Sequence, residues 1–423
     1  MIRIAGKTFP LLLGIGLLLI GIGLQGTLLS LRANLEGFPV PVTGLVMSAY
    51  FMGFIIGTFV CPMLIQRVGH IRAFSALAAI AAASAIAHGM WITPWAWLLL
   101  RIITGICLVG LYMVIESWLN VMAPNEQRGR FFAVYSMVTL LAMALGQYLI
   151  LVDSISGHML FSITGLLVAL AVVPVALTRI TQPAPIETPH TGGLLALYRE
   201  SPLGVVGVLV TGLNNGAFWG LGALFAWRIG MDETMIALFM SATIVGGVLL
   251  QWPIGHLSDR YDRRRVLMLV VLAAMLIALL AYLLAGISHV LLITVFAAYG
   301  GFAFTLYGMS VAHVNDHLST DRVLDASRKL LLIYGAGAVA GPIIASLVMQ
   351  LLGPGSLLLY FAMTLLPLFL FARHRLRYAE QIPEQDQHTF TPMVRTSPVL
   401  LELDPRLEGN GEEEKSSPPA SGF

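Results

Sequence analysis

The chain has 423 residues, of which 57% are hydrophobic and 11% charged, whereas an ordinary soluble domain carries about 25% charged residues. A formal net charge of +2 gives nucleic acid no surface to bind, and no G-x-x-x-x-G-K-[ST] loop is present to cradle a nucleoside triphosphate. The two cysteines, Cys61 and Cys107, lie in apolar runs and read as packing residues, not as a disulfide framework.

A bilayer core about 30 Å thick takes about 20 apolar residues per helix. Twelve stretches meet that requirement: 10–31, 43–65, 73–91, 96–121, 131–152, 157–177, 202–227, 234–254, 266–286, 289–313, 329–351 and 356–372. The first follows Arg3 and Lys7 but is too long for a signal-peptide core and lacks a small-residue cleavage site, so it reads as an uncleaved helix. The expected fold is therefore an all-α membrane protein, twelve transmembrane helices in two six-helix halves. The halves fall at 1–177 and 202–375. Between them, 178–201 reads as a linker, with Gln182-Pro183-Ala184-Pro185 and Gly192-Gly193. The tail, 376–423, with Glu412-Glu413-Glu414 and Ser416-Ser417-Pro418-Pro419, is expected to be disordered, cytoplasmic and without a transport role.

Charge orients the spans. Of 24 Lys and Arg, 21 fall on the side that holds the N-terminus, only Arg32 and Arg228 fall on the other, and Arg101 lies within a span. Positive residues mark the cytoplasmic side, so both termini are expected in the cytoplasm and the chain in the inner (plasma) membrane. The densest run is Gly255-His256-Leu257-Ser258-Asp259-Arg260-Tyr261-Asp262-Arg263-Arg264-Arg265, a tight basic turn between two apolar segments. A weaker copy, 62–72, stands 193 residues earlier, and Leu111-Tyr112, Asn120 and Gly146 recur at an offset of 195 as Leu306-Tyr307, Asn315 and Gly341. These repeats support a duplicated six-helix unit.

Twelve spans, a central linker and the Gly-x-Leu-x-Asp-Arg turn with its basic cluster resemble the major facilitator superfamily. More narrowly, Val114-Ile115-Glu116-Ser117, Gln127-Arg128-Gly129-Arg130, Gln251-Trp252-Pro253-Ile254-Gly255 and Phe304-Thr305-Leu306-Tyr307 are similar to its bacterial YcaD-like branch. The resemblance covers about residues 10–375 and implies transport by alternating access without naming a substrate. It also implies that Asp259, with Arg260 and Arg263, latches the halves together on the cytoplasmic side. The sequence departs from the motif at Gln66, where the first copy should have an acid, and at Asp262, where the second should have glycine.

Two charges stand out inside spans. Arg101 is deep enough to need a partner or a cavity; it either couples transport to protons, as the span-four motif it resembles implies, or snorkels to the outer interface. Glu116 shares a helix stripe with Tyr112 and Asn120. It reads as a gate residue paired with Arg67, Arg128 or Arg130, as a proton carrier, or as a purely structural ion pair. The two lie fifteen residues apart, about 22 Å along one helix, so they do not pair with each other. His313 and Asp316 are expected to be gating or solvated groups.

Substrate contacts are expected from Gln25, Tyr112, Asn214, Asn215, Trp219 and Tyr307, polar groups near mid-depth, unless the amides simply bond neighbouring helices. Gly337-x-x-x-Gly341-Pro342 predicts a close approach in span eleven. The resemblance implies a similar glycine–proline pattern in span five for antiporters of the family; this chain has Ala142-x-x-x-Gly146-Gln147 there, a departure that disfavours drug–proton antiport. No metal site, cofactor or catalytic constellation is expected, so the chain is not read as an enzyme. The expectation is a monomeric, proton-coupled secondary transporter of a small solute, in the lipid bilayer. Efflux antiport and a non-transporting sensor of the same fold are the alternatives.

Overall fold

The structure is a computed structural model, and it describes residues 2–122, 128–177, 193–318, 320–378 and 396–397. The first half contains α1 (Ile2–Leu35), α2 (Val40–Val68), α3 (His70–Met90), α4 (Pro94–Met122), α5 (Arg128–Gln147), α6 (Met159–Leu170) and α7 (Val172–Ala176). A short helix, α8 (Leu194–Glu200), forms inside the expected linker. The second half contains α9 (Pro202–Arg228), α10 (Glu233–Arg260), α11 (Arg263–Leu284), α12 (His289–Asn315), α13 (Thr320–Leu352) and α14 (Ser356–Tyr378). Among the described residues there is no strand. Twelve helical segments are long and apolar enough to cross a membrane, as the hydropathy predicts. The sixth is broken into α6 and α7, because Pro174 has no N–H to bond back into the preceding turn.

Leu249, Leu283, Leu351, Trp95 and Trp252 stand fully exposed on the outer surface. In water such a belt would aggregate; here it is the face that meets lipid. Lipid tails are as apolar as leucine, so the helices gain nothing from burying apolar surface against each other, and close packing has to hold them. The structure supplies it at glycine seams. A Cβ at Gly53 would fall 2.1 Å from the Ile102 carbonyl oxygen, and one at Gly105 2.1 Å from that of Tyr50, so α2 and α4 touch backbone to backbone. The second half repeats the seam between α10 and α12. There a Cβ at Gly246 would fall 1.9 Å from the Ala297 oxygen and one at Gly300 2.0 Å from that of Thr243. The pair Gly146 and Gly341, noticed as a sequence repeat, behaves alike, seating α5 on α1 at Ile20 and α13 on α9 at Leu213. Neighbours correspond as well: α3 lies against α4 and α6, and α11 against α12 and α14. The halves are thus pseudo-symmetric.

The described side-chain hydrogen bonds between the halves lie at the end remote from the basic loops. Ser48 Oγ donates to the Val339 carbonyl at 2.6 Å, and Arg228 Nε donates to Asn34 Oδ1 at 2.9 Å. Ser241 Oγ bonds Tyr148 Oη at 3.0 Å.

At the basic end the two signature turns differ in a way the sequence departures explain. Gly69 turns the chain from α2 into α3 at φ +86°, a left-handed conformation that favours glycine. At the corresponding place in the second half, Asp262 instead caps α11, accepting from the Arg264 backbone N–H at 3.0 Å and holding the Arg264 guanidinium at 3.1 Å. Arg263 is buried beneath this turn. Its guanidinium reaches Asp316 Oδ2 at 2.7 Å and Asp259 Oδ1 at 3.1 Å, and its Nε donates to Ser258 Oγ at 3.1 Å. Asp316, expected as a gating or solvated group at the end of α12, is instead sealed in this pair, with 2% of each side chain exposed.

Two outcomes follow for the purified protein. Gly105→Leu forces α2 off α4 and should cost about 1–3 kcal/mol or fail to fold. Gly16→Ala, which meets nothing within 4 Å, should melt like wild type. Asp316→Asn removes a buried partner of Arg263 and should cost about 3 kcal/mol, read as a lowered melting temperature in detergent; an unchanged melt would show that Asp259 alone suffices.

Candidate functional site

A cavity of about 140 Å³ lies between the two halves. From the first half come Thr27 of α1, Tyr50 and Phe54 of α2, Arg101 and Tyr112 of α4, and Thr139 and Gln147 of α5. The second half contributes Trp219 of α9, Met240 of α10 and Tyr334 of α13. The α2–α4 seam places the two most polar walls together, since Gly53 and Gly105 let Tyr50 and Arg101 face the same space. Gln147 fixes the α1–α5 wall: its Nε2 donates to Gly23 and Met143 carbonyls at 3.1 and 3.0 Å, and its Oε1 accepts from Thr27 Oγ1.

Arg101 is 6% exposed, and its guanidinium carbon lies 4.6 Å from the centroid of the Tyr50 ring. It points into the bundle, so the snorkelling alternative does not hold. Its Nε has no hydrogen-bond partner, and among the described residues it forms no ion pair. A cation–π contact recovers part of the solvation lost on burial, but it supplies no counter-charge.

Of the six residues expected to contact substrate, the cavity takes in Tyr112 and Trp219. Trp219 is held flat by Phe304, with ring planes 1° apart, and edge-on by Phe218. Asn214 lies elsewhere, and its amide is spent on its neighbours. Nδ2 donates to the Val210 carbonyl at 2.9 Å, and Oδ1 accepts from Thr364 at 3.0 Å and Tyr299 at 3.4 Å. It ties α9 to α12 and α14, and the substrate contact expected of it is corrected to a packing role. Gln25, Asn215 and Tyr307 are buried but do not line the cavity; Tyr307 packs edge-on against Tyr334, one layer behind the wall. Depth along a helix gave their height correctly and their direction wrongly. Sequence reading missed Tyr50, Thr27, Thr139, Gln147 and Tyr334. The signal available was Tyr50 and Phe54, one turn apart on the face that also carries Gly53 and Gly57.

Glu116 sits toward the basic end of α4 and is 0% exposed. Tyr135 Oη of α5 donates to its Oε1 at 2.6 Å, and Ser397 Oγ donates to its Oε2. Ser397 belongs to the tail. It and Thr396 are buried, and Thr396 lines the cavity. The expectation that the whole tail lies free is therefore corrected for these two residues: a hydroxyl-bearing stretch reaches a buried carboxylate at that end of the bundle. Arg67, proposed as a partner of Glu116, is exposed at the end of α2 and makes no described ion pair with it. The side chains of Arg128 and Arg130 lie outside the described residues. Arg260 is exposed, and the described ion pairs of Asp259 and Arg263 stay within the second half. Among the described residues no cluster of His, Cys, Asp or Glu could hold a metal ion.

The family model described as Major Facilitator Superfamily matches residues 11–227 and 204–403. A protein of Salmonella heidelberg (strain SL476), named as an uncharacterized MFS-type transporter YcaD, is 31% identical over 383 residues, covering 89% of this chain and 97% of that protein. Among solved structures, the nucleoside transporter NupG superposes with a TM-score of 0.75 at 16% identity, over 88% of this chain and 99% of that one. A bacterial homologue of the human lysosomal transporter Spinster, in an inward-facing and occupied conformation, gives 0.70 at 15% identity over 90% and 97%. At those identities the structures show a shared fold. With the family model spanning both halves and a 31% identical relative aligned along almost its whole length, this chain belongs to the major facilitator superfamily of membrane transporters.

Proposed function

We propose that the protein is a secondary transporter that carries a small solute by alternating access, driven by protons. It works as a monomer in the inner membrane with both termini in the cytoplasm. One observation carries this reading: a polar and aromatic cavity whose walls come from both halves, with the described interhalf hydrogen bonds beyond it, at the end remote from the basic loops. By the charge rule that end is periplasmic, so the conformation is the one that opens toward the cytoplasm. The described ion pairs of Asp259 and Arg263 join α10, α11 and α12 at the basic end of the second half, where a latch between the two states would act.

Glu116 is the titratable group of this mechanism. It does not line the cavity; it lies on the cytoplasmic side of it, holding Tyr135 and the tail residue Ser397. Hydrogen bonds to an ionised carboxylate are roughly twice as strong as neutral ones. Protonation of Glu116 therefore loosens the tail contact and couples access from the cytoplasm to proton binding. Arg101, at the other end of the same helix, faces the solute.

The tests need no known substrate. In a single-cysteine variant with Met240→Cys in the cavity, an impermeant maleimide added from the periplasm should label slowly. Gly44→Leu, whose side chain would collide with Ser346 and Pro342 at the outer contact, should speed labelling several-fold, and Asp259→Asn should slow it. If neither substitution changes the rate, the halves do not alternate about this cavity. With Thr139→Cys as the probe in inside-out vesicles, labelling of the otherwise wild-type protein should quicken in acid buffer. Adding Glu116→Gln should make it fast at every pH. A pH response that survives Glu116→Gln moves proton coupling to another group.

A further inference from the structure

We propose that the solute is an organic anion, a carboxylate or phosphate monoester joined to a flat apolar body, whose negative charge is taken by Arg101. This rests on the transport reading above and deepens it. Three other buried arginines of the chain each hold an acid. Arg263 holds Asp316 and Asp259, Arg264 holds Asp262, and Arg32 holds Glu36. In each case burial of the cation is offset by an acid from the protein. Arg101 is buried to the same degree and, among the described residues, has none. Among the described residues no Asp or Glu lines its cavity.

An isolated cation inside a membrane bundle is costly, and it persists where a cavity or a partner compensates it. The protein leaves Arg101 facing a space large enough to receive a compensating group. Its Nε is unpartnered, and the guanidinium fork suits the two oxygens of a carboxylate or phosphate. The rest of the anion is defined by what surrounds that charge. Tyr50, Tyr112, Tyr334 and Trp219 give aromatic walls with hydroxyls at their rims, and Phe54 and Met143 close the floor with apolar surface. Cavities near 150 Å³ accept a benzene-sized molecule, and this one measures about 140 Å³. An organic cation would meet repulsion, with no acid among the described lining residues to hold it.

The experiment follows thermal unfolding of the full-length protein in detergent with four matched probes: phenylacetate, phenyl phosphate, phenylacetamide and phenethylamine. Wild type and Arg101→Gln are compared. A bound ligand raises the melting temperature by mass action, so at least one of the two anions should raise that of wild type by a few degrees, and which anion does so separates carboxylate from phosphate recognition. The neutral amide and the amine should give no shift at the same concentration, and Arg101→Gln should lose the protection. Without ligand, Arg101→Gln should melt at or above wild type, since it removes an uncompensated charge. Protection by the amide or amine equal to that of the anions, protection that survives in Arg101→Gln, or no protection of wild type by either anion would overturn the proposal. A lower melting temperature of unliganded Arg101→Gln would do the same, marking Arg101 as structural. The two readings fail separately. Anions that protect through Arg101 while cavity labelling stays locked in one state would remove transport and leave the anion site standing.

Discussion

A bundle in lipid has no hydrophobic force to press its helices together, so the contacts that hold this one are those where backbone can touch backbone. Gly53 and Gly105 bring α2 onto α4, and Gly246 and Gly300 bring α10 onto α12. The same closeness decides where side chains point. With the small residues on the seam, the larger ones beside them, Tyr50, Arg101 and Tyr112, face the space between the halves. The cavity is a consequence of the packing rule applied twice, and any residue larger than glycine on those seams would displace its walls.

Charge follows a second rule. Three buried arginines are each given an acid, two of them in the turn between α10 and α11, where Asp262, Asp259 and Asp316 organise Arg264 and Arg263. Arg101 breaks the rule inside the cavity, and Glu116 sits nearer the cytoplasmic end on the same helix, held by a tyrosine and by a serine from the tail. A single helix therefore carries both the cation of the cavity and the buried carboxylate nearer the basic loops.

The sequence told much about the fold and less about the site. Hydropathy located all twelve spans because each needs about 20 apolar residues, and the repeat of Gly146 as Gly341 foretold two equivalent helix crossings. Arg101, Tyr112 and Trp219 were legible as cavity groups because charge or bulk deep in a span has few other uses. Asn214 misled, since an amide bonds a neighbouring helix as readily as a solute, and Gln25 and Tyr307 misled because depth fixes a residue's height and leaves its direction open. The contact of Ser397 with Glu116 had no sequence signal at all: a serine more than 250 residues from its partner, in a polar tail, looks like any other. The break at Asp262, by contrast, turned out to be a helix cap, an ordinary solution to a turn that Gly69 makes by a left-handed backbone.

The most direct measurement is the distance between the halves at both ends of the bundle, by paired spin labels at Asn34 and Arg228 and at Arg67 and Arg260. If the halves rock about a cavity that takes an anion at Arg101, the outer pair is short and the inner pair long in the unliganded protein. A protecting anion then populates a second distance in both, the outer pair lengthening as the inner one shortens. Single distances that no anion changes, with the outer pair always short, would describe a rigid bundle and contradict alternating access.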